Sequence, residues 1–113
     1  MHEYSIVQSL IERVEREAAA RGAKRVVRLH VLLGELSGVE PELLATAYET
    51  FRDRTVCAGA PMVLDRIAAT WECRRCGQRI HGRLRCEVCH GPATLVAGDE
   101  IVLQRIEMEV PDV

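Results

Sequence analysis

Two cysteine pairs, Cys73-x2-Cys76 and Cys86-x2-Cys89, stand nine residues apart in the last third of this chain. They constrain the fold more than any other feature. Each C-x2-C makes a tight turn, and two such turns facing each other bring four thiolates to one tetrahedral ion. Turn-forming residues flank both pairs: Gly77 after the first, His90 and Gly91 after the second. The nine intervening residues suffice for a short hairpin. The reading is a structural zinc site held by Cys73, Cys76, Cys86 and Cys89, with two disulfides as the competing reading. A site closed by four thiolates has no open coordination position, so its metal holds structure and does no chemistry. Function must then come from elsewhere in the chain.

Composition narrows the setting. A chain of 113 residues, 48% hydrophobic, is long enough for one compact core plus a small metal-held module. A net charge of -2 argues against bulk attraction to nucleic acid or an anionic membrane. No apolar run approaches the ~20 residues of a membrane span, and no signal-peptide pattern opens the chain. The expected location is cytoplasmic, where thiols stay reduced, which favours zinc over disulfides. The fifth cysteine, Cys57, is read as a small, semi-buried filler.

Periodicity supplies the elements. Residues Glu3 to Arg21 read as an amphipathic helix, with Val7, Leu10, Ile11, Val14 and Ala18 on one stripe. Glu12/Arg16 and Glu17/Arg21 are i,i+4 pairs in the favourable order. Arg25 to Leu33 reads as a strand, with Val27, Leu29, Val31 and Leu33 on its apolar face. Pro41 opens a second helix whose apolar face is Leu43, Leu44, Ala47, Tyr48 and Phe51. Met62 to Trp71 and Glu100 to Val110 read as further strands. The order predicts an α+β fold: a three-stranded sheet with two helices on one face, plus an inserted zinc-ribbon-like module. The expected domains are 1–70 with 99–113, and 71–98. The module's long excursion between paired strands also offers a route to a domain-swapped homodimer.

The start of the chain is a second candidate site. A helix that begins almost at the first residue is unusual, because termini fray unless something ties them down. The bulky His2 should leave Met1 in place. The free amine, the His2 amide nitrogen and the His2 imidazole are then close neighbours, with the Glu3 amide beside them. Deprotonated amides plus an imidazole make a planar nitrogen set that suits Ni(II) or Cu(II); a six-coordinate alternative uses the Glu3 carboxylate and waters. Either site is open and suited to exchange.

Here the chain resembles a known family. Met1-His2-Glu3-Tyr4-Ser5 resembles the opening of the HypA/HybF nickel metallochaperones, which mature [NiFe]-hydrogenases. Gly34-Glu35-Leu36-Ser37 resembles that family's loop after the first strand, and Ala47-Tyr48-Glu49-Thr50-Phe51 its second-helix segment. Cys73-x2-Cys76 and Cys86-x2-Cys89-His90 resemble its zinc module, and the closing strand from Glu100-Ile101 fits as well. The resemblance covers essentially the whole chain in order. It implies that His2 is the essential nickel ligand, that Met1 and Glu3 add backbone nitrogens, and that Glu3 or an acid near Glu40 completes the shell. It also implies a HypB-type GTPase as partner, the hydrogenase large subunit as recipient, and, in some family members, service to urease maturation proteins.

Plainer readings stand beside these. Glu40 before a Pro-started helix also reads as favourable charge at a helix N-terminus. His30 reads as a surface or half-buried histidine, not a ligand. His81 and His90 lie near the cysteines, and either can donate to a sulfur or replace a thiolate. Arg74, Arg75, Arg79, Arg83 and Arg85 offset the charge of a zinc–thiolate centre. Their other reading is a zinc-ribbon nucleic-acid adaptor, disfavoured because Trp71 is the only aromatic nearby. No phosphate loop or nucleophile arrangement is present, so the chain reads as no enzyme.

Overall fold

The apolar stripe of the first helix meets those of the first strand and second helix to make one core. The computed structural model describes residues 2–80 and 85–111. Helix α1 runs His2–Ala20, strand β1 Arg25–Gly34, helix α2 Pro41–Phe51 and strand β2 Met62–Ile67. They are followed by β3 (Thr70–Cys73), β4 (Arg79–Ile80), β5 (Ala93–Ala97) and β6 (Ile101–Glu109). All five residues of the α1 stripe are buried. Val7, Ile11, Val14 and Ala18 pack with Leu29 and Leu33 of β1 and with Leu44, Ala47 and Tyr48 of α2. Fully burying a valine, leucine or isoleucine of this group stabilises by about 1.5–3 kcal/mol relative to exposure. The fold is the α+β arrangement expected: a sheet ordered β2-β1-β6 under two helices, and a smaller sheet β4-β3-β5 for the cysteine module.

Helix α2 is the crossover that lets β2 run parallel to β1, while β6 returns antiparallel on the other side. Several details differ from the expectation. Val26 is buried in place of Val27, because register shifts between Val26 and Arg28 and so exchanges which residue faces the core. Leu43 and Phe51 are 55% and 48% exposed, so α2 buries only Leu44, Ala47 and Tyr48. Cys57 is fully buried in the main core, deeper than a semi-buried filler. Of the two expected helix pairs, Glu17–Arg21 forms, whereas Glu12 instead accepts from Gln8.

The stretch read as one strand, Met62 to Trp71, is two. β2 belongs to the large sheet and β3 to the small one, and the chain changes sheet at Ala68-Ala69. The loop after β1 holds that crossing. The Glu35 and Leu36 amides donate to the Ile67 and Gly98 carbonyls at 2.8 and 2.6 Å, and the Glu35 carboxylate accepts the Ala69 amide at 2.9 Å. Glycine is required here by contact. A Cβ on Gly34 would sit 2.3 Å from the Gly98 oxygen, and one on Gly98 would sit 2.5 Å from Ala69 Cα. Both chain segments that enter and leave the cysteine module are thus fastened to the Gly34–Ser37 loop.

Polar groups on the sheet face away from the helices tie β1 to β6. His30 Nε2 lies 2.5 Å from Glu107 Oε2, and Arg105 Nη2 lies 3.1 Å from the same nitrogen. Arg25 donates to Glu109 at 2.9 Å. The His30 imidazole, helped by Arg28 and Arg105, holds the Glu107 carboxyl below its ordinary 4.5; Arg25 does the same for Glu109. A carboxyl depressed in the folded state adds stability that is full above its unfolded value and is lost as pH falls through the folded one. Glu107→Gln should therefore lower the denaturant midpoint at neutral pH. The gap between variant and wild type should close as pH drops well below 4.5. A gap that persisted unchanged in acid would contradict this role.

Candidate metal centres

Two short turns of near-identical construction build the cysteine site. In the first, the Gly77 amide donates to the Cys73 carbonyl at 2.9 Å, and the Cys73 amide to the Gln78 carbonyl at 2.9 Å. In the second, the His90 amide donates to the Cys86 carbonyl at 3.0 Å, and the Cys86 amide to the Gly91 carbonyl at 3.1 Å. Both turns need a left-handed residue four positions after the first cysteine; Gly77 has φ 76° and His90 φ 57°. Glycine adopts this freely, and histidine is enriched there among other residues. The structure thus gives His90 a backbone role. Gly91 closes the site: a Cβ there would lie 2.8 Å from Cys73 Sγ. Strand β3 delivers Cys73 and pairs with both β4 and β5.

All four sulfurs lie within 4.8 Å of one another and are arranged to hold a metal ion. The Cys73–Cys89 and Cys76–Cys86 separations are 3.2 and 3.7 Å. Tetrahedral zinc with Zn–S bonds of about 2.3 Å separates its sulfurs by about 3.8 Å, so the donor set and its spacing fit that ion. No disulfide is present among them. The backbone prepares the thiolates. The Cys76 amide, and with it that of Arg75, points at Cys73 Sγ at 3.4 Å and draws its thiol down to about 6. The Cys89 and Val88 amides lower Cys86 in the same way. Cys89, sharing a hydrogen bond with Cys73, is pushed up to about 12. The amides therefore favour thiolate at Cys73 and Cys86, and a cation bound by all four sulfurs would displace the remaining thiol protons. Arg74, Arg75, Arg79 and Arg85 are exposed around the module. Arg75 also reaches the Cys89 carbonyl at 3.4 Å. His81 and Arg83 lie outside the described residues.

The module's own core is slight. Ile80, Cys73 and Cys86 are buried, with Trp71, Cys89 and Ala93 packed against them. Trp71 is therefore half-buried, packed on the module's own core.

At the other candidate centre, α1 begins at His2. Met1 and the side chain of His2 lie outside the described residues. Glu3 is half-buried in the first turn. The ring of Tyr4 meets that of Phe51 edge-on at 5.0 Å, which fastens the start of α1 to the end of α2. The first four amides of a helix lack intrahelical partners, so those at the start of α1 are open to other partners. Glu40 is extended (φ -78°, ψ 121°) and exposed, and its carboxylate makes no capping hydrogen bond. Its negative charge at the start of α2 suits the helix dipole. Sequence reading missed the role of Glu35 as an acceptor for the module's linker; no spacing rule marks a carboxylate that serves a backbone amide across the fold.

Residues 1–108 match the family described as hydrogenase/urease nickel incorporation, metallochaperone, hypA. The chain is similar to the hydrogenase maturation factor HypA of Wolinella succinogenes, at 44% identity over 117 residues, covering 99% of this chain and 98% of that protein. It is 42% identical over 113 residues to HypA of Shewanella halifaxensis, covering 96% and 98%. Among solved structures it resembles the solution structure of the nickel metallochaperone HypA from Helicobacter pylori. That match has a TM-score of 0.77 at 31% identity, covering 96% of this chain and 98% of that one. A second HypA solution structure matches with a TM-score of 0.81 at 33% identity, covering 96% of each chain.

Proposed function

The chain belongs to the HypA family of nickel metallochaperones for hydrogenase nickel incorporation, and on that premise we propose that it captures Ni(II) as cargo at its N-terminus and releases it to a maturation partner. The observation that carries the N-terminal assignment is the helix start at His2. There the unpaired first-turn amides can turn to a metal without breaking any helical hydrogen bond. The His2 imidazole and amide form the centre of the ligand set. The Met1 amine and the Glu3 amide add nitrogens, and the Glu3 or Glu40 carboxylate is available to a six-coordinate ion. Loss of protons from amine, imidazole and amide accompanies binding, so nickel uptake weakens as pH falls.

Cys73, Cys76, Cys86 and Cys89 hold zinc, whose contribution is to fold the module. Residues 1–70 with 99–113 form the nickel-binding domain and 71–98 the zinc-binding domain. The protein acts in the cytoplasm with a HypB-type GTPase and the hydrogenase large subunit, and, as the family description includes urease, with urease maturation proteins. The half-buried Trp71 and the Arg75 contact to the turn favour a protein-docking role for the arginines over nucleic-acid stacking.

The test is transfer. The chain loaded with one equivalent of Ni(II) and mixed with nickel-free hydrogenase large subunit and GTPase should give up its metal to the large subunit within the incubation. Full retention by the loaded chain would contradict a delivery role.

A further inference from the structure

Phe51, left exposed by α2, does not stand alone. Tyr4 is 42% exposed and Phe51 48%, and their edge-on contact forms one end of a groove between α1 and the segment after α2. The groove has a volume of about 400 Å³; buried Ile11 contributes to its floor, and Glu12 and Glu15 stand on its wall. No Lys or Arg among the described residues lines it. Neither Glu12 nor Glu15 has an ion-pair partner among the described residues. From Tyr4 to Glu15 the helix rises about 16 Å, enough to seat roughly three turns of a second helix. Half-exposed aromatics in a concave site are the usual anchors of protein interfaces, and unpaired charge at the rim selects the partner's charge.

We infer that this groove docks a short amphipathic segment of a partner protein, which places an apolar side chain against Tyr4 and Phe51 and Lys or Arg against Glu12 and Glu15. The observation that fixes the occupant's chemistry is the pair of carboxylates without ion-pair partners among the described residues, Glu12 and Glu15, in a groove that two half-exposed aromatic rings close at one end. The site begins two residues from His2, so a partner seated here is held beside the start of the chain. The inference does not depend on which ligands bind nickel.

The experiment uses the full zinc-loaded chain and two synthetic amphipathic peptides with the same leucine pattern, one bearing lysines and one glutamates. Calorimetry should show the lysine peptide binding one per chain and weakening as salt rises. Phe51→Ala and the double variant E12K/E15K should each weaken it at least tenfold, with helical circular dichroism and zinc content unchanged. The glutamate peptide should not bind wild type and should bind E12K/E15K. No binding of the lysine peptide, equal binding of both peptides to wild type, or affinity indifferent to the variants would overturn the inference. Self-association abolished by Phe51→Ala would assign the groove to a second copy and overturn it equally.

Discussion

Cys73→Ala should empty the metal site and unfold the module while the helical domain stays folded. The buried core there amounts to Ile80 with Cys73 and Cys86, supported by Trp71, Cys89 and Ala93. Segments below ~40 residues seldom fold without a disulfide, metal or partner. Structural zinc supplies about 10–16 kcal/mol of apparent binding energy in small zinc folds, far more than so few apolar contacts can replace. Cys73 is also the sulfur that draws two backbone amides and neighbours Cys89, so its removal undoes one turn and leaves three thiols unmatched. The expected result is a fall from one zinc per chain to near none. The single tryptophan, Trp71, reports the loss as a red-shifted emission. The helical signal from α1 and α2 should survive, because their core is separate from that of the module. One zinc per chain in the variant, or unchanged Trp71 emission, would contradict the four-cysteine assignment.

The second large effect is at the other end of the chain. His2→Ala should abolish nickel binding and leave zinc and fold intact. Losing an outer-shell partner of a metal ligand costs roughly 10–100-fold in affinity; losing the central imidazole should cost more. Position 2 is the first residue of α1, and the helix is held to the main core by Val7, Ile11, Val14 and Ala18, so the variant is expected to fold. Tyr4 and Phe51 still hold the first turn in place. A His2→Ala chain that took up nickel like wild type would place the cargo elsewhere.

Much of this molecule was legible because its signals are local. The α1 stripe, Pro41 at a helix start and two C-x2-C turns each announce one element without reference to the rest, and each stands where the spacing put it. What escaped is what depends on distant partners. Val26 replaces Val27 in the core because β6 shifts register against β1, and nothing in β1 alone encodes that bulge. The break at Ala68-Ala69 has no glycine or proline to mark it; it exists because Glu35 takes the Ala69 amide and Gly98 passes within contact of Ala69. Leu43 and Phe51 satisfy the helical period, yet remain exposed because the apolar arc of α2 is wider than the surface it packs on. Gly34 and Glu35 were legible as part of a family loop. Their physical task, holding both linkers of the cysteine module, appears only in the hydrogen bonds.

The most direct test of the N-terminal cargo site is a calorimetric nickel titration of the untagged chain beside a chain with one extra glycine before Met1. The extension removes the Met1 amine from the ligand set and displaces the chain's start from His2, while Tyr4, Phe51 and the core are untouched. Tight uptake of one nickel by the native chain, and clearly weaker uptake by the extended one, is the predicted result. Equal affinity in both chains would contradict capture at the N-terminus and move the nickel site to another part of the molecule.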